Sequence, residues 1–277
     1  MHLTREHIDA YCLSLLADER SAGTISKYRR DLTAFALWLD GRAVTKESAT
    51  AWKACLLNRD YAPRTVNSML AAVNGFCRFA GLPIKLKFLS IQRQIFRDSS
   101  RELTKEEYDR LLTAARESDQ ERLALIMETL CATGIRVSEL RYITVEAALA
   151  GRATITLKGK IRTILLPAKL CRKLVKYARK QKTASGEIFL TKSGRPITRR
   201  QVWYELKRLC RAAGVEPSKV FPHNLRHLFA TTFYRASRDI VRLADMLGHS
   251  SIDTTRIYLM VSGAEQQRQL DRLGLVS

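Results

Sequence analysis

The sequence predicts a mainly α fold in two parts: an N-terminal helical bundle, then an α-rich domain with one small antiparallel β-sheet. Three observations lead there. Apolar residues recur at three- and four-residue spacing through most of the chain, the period of a helix with one buried face. Alternation of period two is confined to one stretch around Gly159, Ala153 to Leu166. Between the parts, residues 83–101 break the helical pattern with Pro83 and carry Lys85, Lys87, Arg93, Arg97 and Arg101 against one acid, Asp98. With 277 residues, 46% of them hydrophobic, the chain is long and apolar enough for two packed domains.

In the first part, helical patterns fit residues 4–18 and 45–58. Between them Thr24 is placed to cap a helix with Ile25, Tyr28, Leu32, Phe35, Ala36 and Leu39 on one face, stopped by Gly41. Lys27 and Arg30 fall off that stripe and are expected to face outward. A further helix follows Pro63, with Val66, Met69, Leu70, Val73, Phe76 and Phe79 on one face and Gly81 at its end. These make a bundle over residues 1–82, and 83–101 reads as a basic linker.

The second domain spans 102–277. Thr104 caps a helix with an acidic first turn, Glu106 and Glu107. Helices are expected at about 104–117 and 120–133. A β-hairpin follows: Ala153–Leu157, a Lys158-Gly159-Lys160 turn, then Arg162–Leu166. From Lys169 the pattern is helical again, apart from the short run Glu187–Leu190.

Forty-eight Lys and Arg against 27 Asp and Glu leave a net charge of +21. Self-repulsion of that size points to a polyanionic partner. Nucleic acid leads and an anionic membrane surface comes second, because no run approaches the roughly 20 apolar residues of a spanning helix. The opening residues, Met1-His2-Leu3-Thr4-Arg5-Glu6, are charged and lack an apolar leader run. Six scattered cysteines (12, 55, 77, 131, 171 and 210) form no CxxC pair. Cys12, Cys55, Cys77 and Cys131 lie among apolar residues and are expected to be buried thiols, in a reducing compartment, the cytoplasm, with neither disulfides nor a metal site.

Four segments of the second domain carry a chemical set. They are Gly134-Ile-Arg136-Val-Ser-Glu-Leu140, the Lys158 turn, His223-Asn-Leu-Arg226-His227, and Leu247-Gly-His249 followed nine residues later by Tyr258. Taken singly each is unremarkable: a lone arginine is usually surface charge, and a lone tyrosine on a helix is usually core. Together they suit attack on a phosphodiester. Two guanidiniums, Arg136 and Arg226, are able to hold the non-bridging oxygens bidentately and stabilise the charge that grows in the transition state. A tyrosine hydroxyl ionises only near pH ~10 in water and needs a base; His223, three residues before Arg226, shares its helix face. A lysine on a hairpin tip is able to protonate the leaving oxygen. His249 offers a further hydrogen bond to the phosphate.

These segments resemble the catalytic motifs of the tyrosine recombinase (phage integrase) family, most closely its compact Xer-type members. The order Arg, Lys, HxxR, His, Tyr and the spacing from His249 to Tyr258 match the family, and Thr24–Leu39 and Arg64–Phe79 resemble its helical core-binding domain. The resemblance implies a site-specific recombinase with catalytic residues Arg136, Lys158, His223, Arg226, His249 and Tyr258, working without metal or other cofactor through a 3′-phosphotyrosine. It further implies that two domains clamp double-stranded DNA, with Lys27, Arg30, Arg64, Thr65, Lys85, Lys87 and Lys160 as candidate DNA contacts. Four protomers would assemble through a C-terminal tail, residues 263–277, whose apolar stripe is Leu270, Leu273, Leu275 and Val276. The biological setting would be integration or excision of a mobile element, or resolution of chromosome or plasmid dimers. The turn at Lys158 is one residue shorter than the common Xer-type turn, which leaves Lys158 and Lys160 as alternatives for the acid, Lys158 preferred because Gly159 follows it. The sequence begins directly in the helical part, an arrangement that predicts a simple core site. Rival readings are a type IB topoisomerase-like enzyme, with similar chemistry on one duplex, and a non-catalytic DNA- or RNA-binding protein, which leaves the catalytic set unexplained.

Overall fold

The computed structural model describes residues 1–92, 99–157, 160–258, 267–268 and 271–273. The chain divides into two compact units, Met1–Arg93 and Gln94–Ser277.

The first unit holds α1 (Arg5–Ala17), α2 (Ala22–Leu39), α3 (Lys46–Asn58) and α4 (Pro63–Phe79). Thr4, Ser21 and Thr45 cap the first three through side-chain oxygens that accept backbone N–H bonds three residues on. Pro63 opens α4, where its fixed φ fits and its missing N–H is not needed. Helix α2 thus begins about a turn earlier than Thr24 suggested: Ser21 is the cap, and Thr24 supplies the N–H it accepts. The faces of α2 and α4 meet over Leu32, Phe35, Leu70, Val73 and Phe76, all at 0% exposure. Phe79 departs from the expected stripe; it is 47% exposed and lies beside the Tyr11 ring. Lys27 also departs from expectation, because its ammonium is drawn back to the buried carboxylate of Asp31.

Part of the stretch expected to be a linker belongs to this unit. Asn74 exchanges two hydrogen bonds with the backbone of Leu86 (2.7 and 3.0 Å), and Asn67 does the same with Leu89 (2.7 and 2.9 Å). Leu86 is buried in the core of the bundle. An asparagine side chain offers the donor and acceptor of a peptide group, so α4 holds residues 86 and 89 much as a neighbouring strand would.

The second unit contains α5 (Lys105–Glu117), α6 (Glu121–Thr133), α7 (Val145–Ala150), β1 (Arg152–Leu157), β2 (Lys160–Leu165), α8 (Ala168–Lys180), α9 (Arg199–Ala213), α10 (Pro222–Ser237), α11 (Ile240–Leu247) and α12 (Ile252–Thr255). Thr104 and Glu107 cap α5 reciprocally. Helix α6 is central: Ile126, Met127 and Leu130 are fully buried, and it packs on α5, α8 and α10. The two strands pair antiparallel with Leu157 opposite Lys160 and Ile155 opposite Arg162. Lys160 is therefore the first residue of β2 rather than part of the turn. Lys158 and Gly159 lie between the strands, outside the described residues. Ala153, Ile155 and Ile164 face the core, whereas Ile161 and Leu165 are about three-quarters exposed at 74% and 75%. The run Glu187–Leu190 makes only isolated bridges, Thr144 with Glu187 and Leu190 with Pro196. Of the expected tail stripe, Leu273 is exposed and Leu270, Leu275 and Val276 lie outside the described residues. Among the described residues no helix is long and apolar enough to cross a membrane.

Candidate active site

Helix α6 ends at Gly134, whose φ of +65° belongs to the left-handed region. A Cβ at that position would lie 2.3 Å from the Phe229 ring on α10. Only glycine meets both demands. The turn delivers Arg136 to the head of a 3-10 segment, Val137–Tyr142. Glu139 of that segment is 1% exposed and accepts the Arg136 backbone N–H at 2.7 Å and its Nη1 at 3.1 Å. The same carboxylate accepts Nη2 of Arg162, on β2, at 2.7 Å. The Arg136 side chain remains 42% exposed.

Pro222 starts α10, which places His223 and Arg226 on its first turns. Arg226 is 2% exposed, and its guanidinium ties together the ends of α6 and α11. Nη1 donates to Gly134 O at 2.6 Å, and Nη2 donates to Leu247 O at 2.8 Å and to His249 Nε2 at 2.9 Å. Both hydrogens of Nη2 are thereby used. Arg136 thus keeps part of its guanidinium exposed, whereas Arg226 is buried and bonded to Gly134, Leu247 and His249. Burial first, then Arg136, pushes the Arg226 pKa down to about 10, which leaves it charged at neutral pH.

Helix α11 ends at Gly248 (φ +64°), which turns the chain so that His249 meets Arg226. Burial and then the charges of Arg226, Arg136 and Arg162 push His249 down to about 4, so the ring is neutral at pH 7. Its Nδ1 lies 2.8 Å from Oγ1 of fully buried Thr255. Burial and then Arg226 and Arg136 also push His223 below the usual histidine range, leaving it able to accept a proton. Tyr258 closes the group from a 3-10 turn, Arg256–Tyr258. It is 4% exposed, its ring centroid 5.1 Å from His227 and 6.2 Å from His249, nearly parallel to the latter. Its hydroxyl is near enough to Arg226 to favour the charged guanidinium.

The site thus places a tyrosine hydroxyl in a nest of cations and neutral imidazoles. Among the described residues no group of His, Cys, Asp and Glu is placed to hold a metal ion. Residues 101–265 match the phage integrase family, and residues 8–81 match the phage integrase N-terminal SAM-like domain. Tyrosine recombinase XerA of Pyrococcus furiosus is 30% identical, over 99% of this chain and 96% of its own. Tyrosine recombinase XerC of Roseiflexus castenholzii is 34% identical, over 91% of this chain and 88% of its own. The chain belongs to the phage integrase family. It is a site-specific tyrosine recombinase. The fold agrees with a lambda integrase tetramer solved on a Holliday junction: the TM-score is 0.72 at 19% identity, covering 91% of this chain and 76% of that one.

Of the site residues expected for a recombinase, the structure brings together Arg136, His223, Arg226, His249 and Tyr258. Lys158 lies outside the described residues. In the first unit Arg30, Arg64, Thr65, Lys85 and Lys87 are exposed, and Lys27 is half-buried against Asp31. Sequence reasoning missed Glu139, Arg162 and Thr255. Glu139 had a signal: an acid three residues after Arg136, followed by an apolar residue, is placed to cap its own turn. Arg162 had none, because in a strand of mixed exposure its direction depends on the register.

Proposed function

We propose that Tyr258 is the nucleophile of strand cleavage on double-stranded DNA. The observation that carries this reading is the convergence of Tyr258, Arg226 and His249 on one buried cluster that also feels Arg136 and His223. The tyrosine oxygen forms a bond to the scissile phosphorus as the bond from phosphorus to the 5′-oxygen breaks. His223 takes the phenolic proton and Lys158 protonates the departing 5′-oxygen, giving a 3′-phosphotyrosine and a free 5′-hydroxyl. Arg136 holds the non-bridging oxygens from its exposed side, and Arg226 adds positive charge from beneath. The reverse attack by a 5′-hydroxyl of a second duplex rejoins the strands, so the phosphodiester energy is kept in the protein–DNA bond.

Arg30, Arg64, Thr65, Lys85 and Lys87 provide phosphate contacts on the first unit, with Lys160 on the second and a lesser share from Lys27. Four protomers assemble on two duplexes, as the lambda integrase tetramer does on its junction. The receiving surface for a neighbour's segment 263–277 is a groove of about 580 Å³ lined by Tyr108, Cys131, Leu228, Phe229 and Phe233. Six free cysteines suit a reducing compartment, the cytoplasm.

The test is a nicked suicide duplex that traps the covalent product. Wild-type protein is expected to give a denaturant-stable protein–DNA band, and Tyr258→Phe to bind the duplex with no such band. A band from Tyr258→Phe overturns the assignment. Removing residues 263–277 is expected to leave cleavage of a single site while abolishing the four-protomer complex in analytical ultracentrifugation.

A further inference from the structure

The buried Glu139 carboxylate sets a problem for the recombinase. It lies beside Arg136, the guanidinium best exposed to a phosphate, and a one-to-one ion pair would cancel the charge that Arg136 offers. The second guanidinium, Arg162, restores the balance: one carboxylate against two cations leaves the trio positive. Arg162 is held tightly to do so. Its side chain is 16% exposed, and Nη2 donates to Glu139. Its Nε and Nη1 are buried without a hydrogen-bond partner, a cost the site bears to keep this group in place. The far side of the guanidinium rests on Gly248, where a Cβ would lie 1.8 Å from Nη1 and 2.7 Å from Cζ. Gly248 therefore has a second reason to be glycine besides its positive φ.

Three pieces of the site meet at this one side chain. Arg162 stands on β2, five residues from the end of α8's leading loop and four beyond Lys158 in sequence. It touches the 3-10 segment that carries Arg136 and the turn that carries His249. We propose that Arg162 is a positioning residue of the recombination reaction, neutralising Glu139 so that Arg136 meets the scissile phosphate as an uncancelled cation, and tying the root of the lysine hairpin to the Gly248–His249 turn. The inference rests on the reading of the site given under Proposed function.

The experiment is single-turnover cleavage of the suicide duplex, with binding affinity measured separately. Arg162→Met fills the space without the charge and is expected to slow cleavage on the order of 100-fold while duplex affinity changes little. Arg162→Lys keeps the charge and is expected to cleave faster than Arg162→Met. The decisive variant is the double one, Arg162→Met with Glu139→Gln: removing the carboxylate's charge is expected to recover part of the lost rate. A residue needed for packing alone would show no such rescue, and its absence overturns the proposal, as does wild-type cleavage by Arg162→Met. If Arg162→Met does not fold, Arg162→Lys carries the test, and its failure to cleave while folded overturns the proposal. Failure of the underlying reading is seen separately, as covalent product from Tyr258→Phe.

Discussion

Nη2 of Arg226 lies 2.9 Å from Nε2 of His249, and this contact settles the state of the imidazole. A guanidinium has no acceptor, so Nε2 must present a lone pair. The proton then sits on Nδ1, which donates to Thr255 Oγ1 at 2.8 Å. His249 in this form supports Arg226 and gives no hydrogen bond from Nε2 to a phosphate.

Arg226 holds the fold together as well as lying in the proposed site. Arg226→Met leaves Gly134 O and Leu247 O buried without their donors, at roughly 1–3 kcal/mol each. The expected loss of stability is therefore about 2–6 kcal/mol. Arg226→Lys is expected to recover only part, since one ammonium does not reproduce the planar fork. Chemical denaturation of both variants checks this, and midpoints equal to wild type would contradict it.

Stability is expected to fall as pH drops from about 6.5 toward 5. His249 is held down to about 4 in the folded protein and His223 below the ordinary histidine range. Unfolded histidines titrate near ~6.5, so in this window the unfolded chain binds more protons than the folded one. Denaturation midpoints at pH 7 and pH 5 measure the slope, and His249→Asn is expected to flatten it.

Gly134→Ala is expected to destabilise the second unit by about 3 kcal/mol or more. The backbone would hold a side chain at positive φ, and the new methyl would meet the Phe229 ring. Gly81→Ala, also at positive φ but with open space around it, is the comparison and is expected to cost less. Thermal melts of the two variants decide the point.

Duplex affinity is expected to fall with salt on a log–log slope of about 0.9 per neutralised phosphate. Arg64→Ala and Lys85→Ala are each expected to reduce that slope by nearly one contact. Lys27→Ala is expected to change it less, because Asp31 already engages the ammonium. Titrations at several salt concentrations test this; equal effects at all three positions would disprove the distinction.

What the sequence determined by itself was local or periodic. Helix starts at Thr4, Thr45, Pro63 and Thr104, the faces of α2 and α4, the hairpin around Gly159, and the spacings from His223 to Arg226 and from His249 to Tyr258 are all carried by residues within a few turns of one another. The tertiary structure decided what depends on distant partners. The Arg162 guanidinium meets Glu139 across 23 residues of chain, Arg226 meets Gly134 across 92, and Asn67 captures Leu89 across 22. No local period encodes such pairings, because burial removes water as the alternative partner and the groups then bond to whatever packing has brought near. For that reason the residues proposed to react could be picked out of the sequence, while Glu139, Arg162 and Thr255 around them emerged only in the fold.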